Sequence, residues 1–157
     1  MDIRDEIFVI IVSSLPISEL RGAIPLGVAE GLSIEKTYLL AVMGNLLPVL
    51  PLLFFFKYLF HKLENIKFVG SSLREWKATV EKKSSLIENF GFWGLVLFVA
   101  IPSPFTGAWT ATLAANLLGF KLRRAWLAIF LGVLIAGVIV SLAVTGVIKL
   151  WFTFTGR

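Results

Sequence analysis

Four long apolar stretches dominate the chain, and they cover residues 7–32, 37–60, 91–119 and 125–152. Each is long enough for a membrane helix, which needs about 20 apolar residues. The second and fourth stretches are predicted as unbroken spanning helices. The first is interrupted by Pro16 and Pro25, and the third by the run IPSPFTGAW at 101–109. Because proline removes a backbone donor and glycine tolerates turns, the chain is expected to bend at both interruptions.

The basic residues favour one of two ways to thread these stretches through a membrane. They form two clusters, one in the linker 61–89 and the other at Lys121, Arg123 and Arg124. Four plain crossings would place the clusters on opposite faces, although Lys and Arg collect on the cytoplasmic side. If the first and third stretches are re-entrant hairpins, both clusters become cytoplasmic. We therefore favour hairpins at 7–32 and 91–119, with four plain crossings as the alternative.

The linker 61–89 is predicted to contain an amphipathic helix. Ser72 and Glu75 form a capping box, and apolar residues follow at helical spacing. Basic residues occupy the other faces, as expected for a helix that lies on anionic lipid. A plain solvated connector is the alternative.

The two interrupted stretches also resemble each other. RGAIPLGVAEGL aligns with TGAWTATLAANL, which pairs Gly22 with Gly107, and Gly44 and Gly132 occupy similar positions in the helices that follow. A unit of one hairpin and one crossing helix must place its next copy upside down. The sequence thus predicts an all-α integral membrane protein, a single domain over 1–157, built from two inverted repeats as in many secondary transporters. Generic small-residue membrane sequence is the alternative.

Composition narrows the class of protein further. Of the 157 residues, 57% are hydrophobic and 16% are charged, whereas soluble domains carry roughly a quarter charged residues. The chain has no cysteine, so disulfides, thiolate metal sites and thiol catalysis are excluded. The net charge of +5 is explained by basic residues in cytoplasmic loops and does not indicate binding of nucleic acid. The first apolar run follows the acidic MDIRDE and is not expected to be a signal peptide.

Glu19 and Arg21 are the strongest candidates for chemistry, because they lie within the first apolar stretch. A charge at mid-bilayer costs roughly 2.5–3.5 kcal/mol, so such residues commonly pair and mark a transport path. Arg21 can hold a phosphate or carboxylate in bidentate fashion, and a partly desolvated Glu19 can carry a proton. Ordinary hydration at the water interface is the alternative, and it is the expectation for Glu30 and Glu35.

The second hairpin offers small polar groups in place of charges. Four residues are predicted to line the opposite side of the same cavity, namely Thr106, Thr110, Thr112 and Asn116. The freed backbone amides at the start of a half-helix add an anion site. For each threonine alone, a hydrogen bond to its own helix is the favoured alternative. Asn45 in the helix 37–60 needs a hydrogen-bond partner in lipid. We find no Ser-His-acid set, no metal cluster and no phosphate loop, so neither enzyme activity nor a cofactor is predicted.

The motifs SELRGAIPLG, MGNLLP and PSPFTGAWT together resemble those of the small multidrug export protein family of prokaryotic membrane proteins, over almost the whole chain. That family looks distantly similar to the DedA-type, VTT-domain proteins, which have paired re-entrant hairpins. The resemblance implies an inner-membrane exporter, and the DedA relatives imply translocation of lipid phosphates, often coupled to protons. By motif match, the substrate- and proton-binding candidates are Glu19, Arg21, Gly22, Pro25, Pro102, Pro104, Thr106, Gly107, Trp109 and Thr110, to which Asn45 is added from the residues themselves. Phe105 and Ala111 stand where the family usually has glycine.

Three functions are predicted as alternatives. The first is a secondary exporter, with a proton carried by Glu19, of a small amphiphilic or anionic substrate held between the hairpins. The second is a lipid or lipid-phosphate flippase or scramblase, and the third is a membrane scaffold that transports nothing. The chain has little surface with which to shield two hairpins from lipid, so a homo-oligomer, most simply a dimer, is expected in the plasma membrane of a prokaryote.

Overall fold

The computed structural model describes residues 3–64, 90–101 and 106–155, and all regular structure in these ranges is α-helical. The helices, in chain order, are α1 (Ile3–Ser14), α2 (Glu19–Ala29), α3 (Ile34–Leu46), α4 (Val49–Glu64), α5 (Phe92–Ala100), α6 (Ala108–Leu117) and α7 (Leu122–Thr155). The amphipathic helix predicted in the linker lies outside the described residues, and so do Pro102, Pro104 and Phe105.

Two segments of the described chain are long and apolar enough to cross a membrane. They are Ile34–Leu59 and Leu122–Leu150, and they coincide with the second and fourth apolar stretches. The first of them contains a turn at residues 47–48, where the sequence pattern indicated an unbroken helix. The physical reason is local, because Pro48 has no N–H for the carbonyl of Gly44 and the helical ladder is interrupted there.

The first and third apolar stretches each divide into two short helices. These helices contain 12 residues in α1, 11 in α2, 9 in α5 and 10 in α6. At a rise of 1.5 Å per residue, even the longest reaches only about 18 Å. None of the four is long enough to cross a hydrocarbon core about 30 Å thick.

The first of two compact units contains residues 1–47 and 133–157. Within it, α1, α2 and α3 pack on one another around the buried side chains of Val9, Leu20 and Ile24. Gly27 lies where these three helices meet. A Cβ at this position would lie 2.6 Å from Thr37 Cγ2 and 2.8 Å from Val9 Cγ2. Small residues allow this close approach, which drives helix association in membranes.

The second compact unit contains residues 48–132. In this unit α4 packs on α6 and α5 packs on α6, and Leu53, Leu95 and Ile129 are buried. Gly132 lets the beginning of α7 approach α5. A Cβ on Gly132 would lie 2.5 Å from Val99 Cβ and 2.8 Å from the Val96 carbonyl oxygen.

The ends of α2 and α6 have the same backbone geometry. Gly31 and Gly119 adopt φ of 88° and 70°, and the amide that follows each glycine bonds back to the helix at 3.0 Å and 2.9 Å. This arrangement is a Schellman cap, which uses glycine because a Cβ disfavours positive φ. The next helix begins at Ile34 after the first cap and at Leu122 after the second, the same number of residues past each glycine.

The correspondence defined by these caps differs in register from the sequence alignment. Gly31 and Gly119 are as far apart along the sequence as Gly44 and Gly132. Gly22 and Gly107, which the sequence alignment pairs, are separated by fewer residues. Both Gly44 and Gly132 approach the backbone of the first helix of a short pair. The α5–α6 connection is also longer than the α1–α2 connection.

Candidate functional site

The connection between α1 and α2, residues 15–18, brings the charged residues of the first stretch to the start of a helix. Pro16 cannot supply the N–H that would continue α1. The hydroxyl of Ser18 instead donates to the Val12 carbonyl at 2.5 Å, and the Glu19 amide donates to the Leu15 carbonyl at 3.0 Å. The chain therefore reverses before Glu19, and α2 begins at that residue.

Glu19 combines burial with an unusual backbone conformation. Its residue surface is 7% exposed. Among the described residues, Glu19 is the one non-glycine residue with a positive φ, which is 47°. A residue held in this region costs of order 1–3 kcal/mol and persists when the surroundings impose it. Such outliers cluster at functional sites, which makes Glu19 a candidate on structural grounds as well.

Arg21 is half-buried and interacts electrostatically with Glu19. The two residues are separated by one position and lie in the first turn of α2 rather than at the apex of the bend. The positive end of the helix dipole also favours a carboxylate there. An opposite charge and a helix N-terminus together offset the cost of removing the Glu19 carboxylate from water.

Gly22 and Pro25 lie inside α2 and shape the backbone around the pair. A Cβ on Gly22 would lie 2.9 Å from Ser18 Cβ, so glycine permits the tight connection. Pro25 is exposed in the helix interior. Because it has no N–H, the carbonyl of Arg21 loses its helical donor.

Asn45 belongs to the same compact unit as Glu19 and Arg21. It lies near the end of α3 and is 1% exposed, and within the described residues its Oδ1 has no hydrogen-bond partner. A buried carbonyl oxygen without a donor costs of order 1–3 kcal/mol. Asn45 is thus a buried polar group whose carbonyl oxygen has no donor within the described residues.

The candidates of the third stretch lie in the second compact unit. Thr106 Oγ1 donates to the Ile101 carbonyl at 2.9 Å, and Thr110 Oγ1 donates to the Gly107 carbonyl at 3.2 Å. Gly107 is buried directly before α6, and Trp109 is half-buried. Both threonine hydroxyls therefore donate to carbonyls of their own segment.

Two buried polar residues were missed by the sequence reading. Ser13 in α1 donates its hydroxyl to the Ala41 carbonyl of α3, and Thr37 Oγ1 donates to the Ser33 carbonyl at 2.9 Å. Both residues are 0% exposed. The available signal was their small size, since Ser and Thr are enriched where membrane helices touch. Across the described ranges, no group of three His, Asp or Glu residues is positioned to hold a metal ion.

The outward surface defines the class of protein. Large apolar side chains are exposed on each helix of the segment Ile34–Leu59, namely Leu39 and Met43 on α3 and Leu50, Phe54 and Tyr58 on α4. An apolar surface of this extent is unfavourable in water and matches hydrocarbon. Together with the mean hydropathy of +0.87, it identifies an α-helical integral membrane protein.

Comparison with known families specifies the class further. The family model described as "Putative small multi-drug export protein" matches residues 19–139, and the chain belongs to this family. The match begins at Glu19. It includes α2 and α6, the second helix of each short pair, and most of the two segments that are long and apolar enough to cross a membrane. The family indicates an export protein rather than an enzyme. No curated protein and no solved structure matches the chain.

Proposed function

We propose that the protein is a secondary transporter that exports a small amphiphilic or anionic substrate in exchange for protons. The observation that carries the proposal is the buried Glu19, which has a positive φ and interacts with Arg21 in the first turn of α2. A charged pair within an apolar stretch is costly and marks a transport path. Membership of an export family supports the same direction.

The charged pair suggests how protons and substrate are coupled. While Glu19 is ionised, its carboxylate interacts with the Arg21 guanidinium. Protonation of Glu19 removes this interaction and leaves Arg21, which stays charged, to bind an anionic or polar group of the substrate. Binding of a proton and release of the Arg21–Glu19 interaction then favour one conformation of the site, and deprotonation favours the other.

Re-entrant hairpins and inverted repeats are part of the proposal. It is supported by the two pairs of short helices, α1 with α2 and α5 with α6, each followed by a long apolar segment. The equal spacing of the Gly31 and Gly119 caps from the helices that follow also supports it. Fluorescent-protein and phosphatase reporters placed after Gly31 and after Gly119 test the topology, because the hairpins put these two sites on opposite faces of the membrane, whereas four plain crossings put them on the same face.

We further propose a homodimer in the plasma membrane of a prokaryote, with the linker 61–89 in the cytoplasm. Broken backbone at membrane depth must be shielded from lipid, and Ile17 in the α1–α2 connection is 98% exposed. A partner subunit would cover such a residue. The chain has no cysteine, so Ile17→Cys provides a single thiol for cross-linking in native membranes. A purely monomeric product, with the mass of a monomer in nanodiscs, would contradict the dimer.

Transport is tested in proteoliposomes with an imposed pH gradient. Ethidium serves as a cationic amphiphile and octyl phosphate as an anionic amphiphile. Glu19→Gln and Arg21→Ala should each reduce transport by at least tenfold at normal expression. Glu30→Gln is the matched control, because Glu30 is exposed at the other end of the same helix. Wild-type transport rates in both variants would refute the proposal.

The same liposomes separate this function from the two alternatives. Labelled phosphatidylcholine that changes leaflet, while neither solute moves, would identify a lipid flippase or scramblase. If the protein is a scaffold, liposomes that contain the wild type should transport neither ethidium nor octyl phosphate and should move no lipid between leaflets. Glu19→Gln should then lower the thermal midpoint of unfolding.

A further inference from the structure

A groove lies between α3 and the middle of α7 in the first compact unit. Its volume is about 400 Å³, within the range of small-molecule sites. The residues that line it are Ile34, Glu35, Tyr38, Leu39, Val138, Ser141, Leu142 and Thr145. Apart from Glu35 and the hydroxyl-bearing residues, the walls are aliphatic.

Tyr38 forms a rigid side of this groove. Its hydroxyl donates to the Leu134 carbonyl at 3.3 Å. Its ring also packs on the α7 backbone, because a Cβ on Gly137 would lie 2.6 Å from Tyr38 Cε2. An aromatic face held in this way can contact an apolar or cationic ligand without losing further side-chain freedom.

The charge at the groove is negative. Glu35 is exposed in the first turn of α3, where the helix dipole favours a carboxylate. The neighbouring cation is already engaged, since Lys36 Nζ lies 2.5 Å from Glu6 Oε1. Within the described residues Glu35 itself makes no ion pair.

We propose that this groove binds a cationic amphiphile, with its ammonium group against Glu35 and its apolar body along Tyr38, Val138 and Leu142. An anionic head group would be repelled by Glu35, and a neutral one would gain nothing from it. The proposal rests on the proposed function only in treating the ligand as a transported substrate. Of the amphiphilic and anionic substrates named there, it selects an amphiphile that carries a cationic group, so that Arg21 would contact a polar group of the same molecule.

Equilibrium dialysis against the protein in phosphatidylcholine nanodiscs tests the groove, with binding to empty nanodiscs subtracted. The probes are 4-phenylbutylammonium and its neutral analogue 4-phenylbutanol. The wild type should bind the ammonium about two- to fivefold more tightly than the alcohol, the range expected for an exposed ion pair. Glu35→Gln should abolish this preference, and Glu30→Gln, which removes an exposed carboxylate outside the groove, should keep it.

A second pair of variants tests the location. Val138→Trp fills the groove and should weaken binding of both probes, whereas Val147→Trp adds the same side chain at an exposed α7 position outside the lining. Equal binding of the ammonium and the alcohol by the wild type would contradict the proposed binding site. An equal loss of binding affinity in both tryptophan variants would contradict it as well. Preferential ammonium binding in a protein that transports no solute would uphold the groove and contradict the proposed function.

Discussion

Gly132→Ala is the substitution whose effect the structure defines most sharply. The new Cβ would lie 2.5 Å from Val99 Cβ, about 1 Å inside the separation at which carbon atoms attract each other. Val99 Cβ is bonded directly to the α5 backbone, so no rotation of a side chain relieves the contact. The Val96 carbonyl oxygen, at 2.8 Å, is also backbone. Helix α5 must therefore move away from α7.

The expected magnitude follows from two opposing contributions. Overpacking of this kind costs about 1–3 kcal/mol, while alanine in a helix interior gains about 0.5–1 kcal/mol over glycine. Gly146→Ala is the matched control, because Gly146 lies in the same helix and a Cβ there would meet nothing within 4 Å. The helix contribution cancels between the two variants, which should then differ by about 1–3 kcal/mol, all of it from packing.

Thermal unfolding of both variants in the same nanodiscs, followed by tryptophan fluorescence, measures the difference. For a chain of this length 1 kcal/mol moves Tm by about 2–4 °C, so Gly132→Ala should melt roughly 2–12 °C below Gly146→Ala. Indistinguishable Tm values for the two variants would refute the close approach of α5 and α7 at Gly132.

Three further substitutions test other parts of the first unit. Glu19→Asn keeps a side chain that tolerates positive φ but removes the charge, so Tm should stay within about 2 °C while transport is lost; a large loss of Tm would mean that the charge pair is structural. Ser33→Ala removes the N-cap of α3, whose Oγ accepts from the Lys36 amide at 3.4 Å. It should lower the free energy of unfolding by about 0.5–1 kcal/mol, and an unchanged denaturation midpoint would contradict the cap. Ser141→Ala removes a buried hydroxyl that has no partner within the described residues, and should raise Tm by about 1–4 °C; a lower Tm would show that this hydroxyl is bonded.

Local chemistry explains why the sequence predicted the two long segments and the places where the other two stretches bend. Pro16 follows the end of α1 and has no amide hydrogen with which to continue that helix. Pro48 carried the same signal, yet the high hydropathy around it indicated an unbroken helix, and the turn at 47–48 was not anticipated. Hydropathy reports how a segment partitions into lipid and does not report whether its hydrogen-bond ladder is continuous.

The site shows a similar division between residues and their geometry. The identity of Glu19 and Arg21 as a charged pair could be read from the sequence, because charges in an apolar stretch are costly. Their position within the first turn of α2 could not, since it depends on the Ser18 hydroxyl reaching the Val12 carbonyl. The positive φ of Glu19 likewise depends on how residues 15–18 connect α1 to α2. It cannot be read from the sequence, because a glutamate usually avoids positive φ.

The sequence by itself determined the class of protein, the long apolar segments, the family motifs and the candidate charges, because each depends on composition or on neighbours along the chain. The tertiary structure decided which surfaces meet: Gly132 against Val99, and Tyr38 against α7 beside a groove with Glu35 at its edge. The sequence reading treated Glu35 as an ordinary hydrated residue. These contacts join residues that are 33 positions apart for Gly132 and Val99 and 99 positions apart for Gly137 and Tyr38. Only the packing of helices, which depends on shape at the scale of a single methyl group, brings them together.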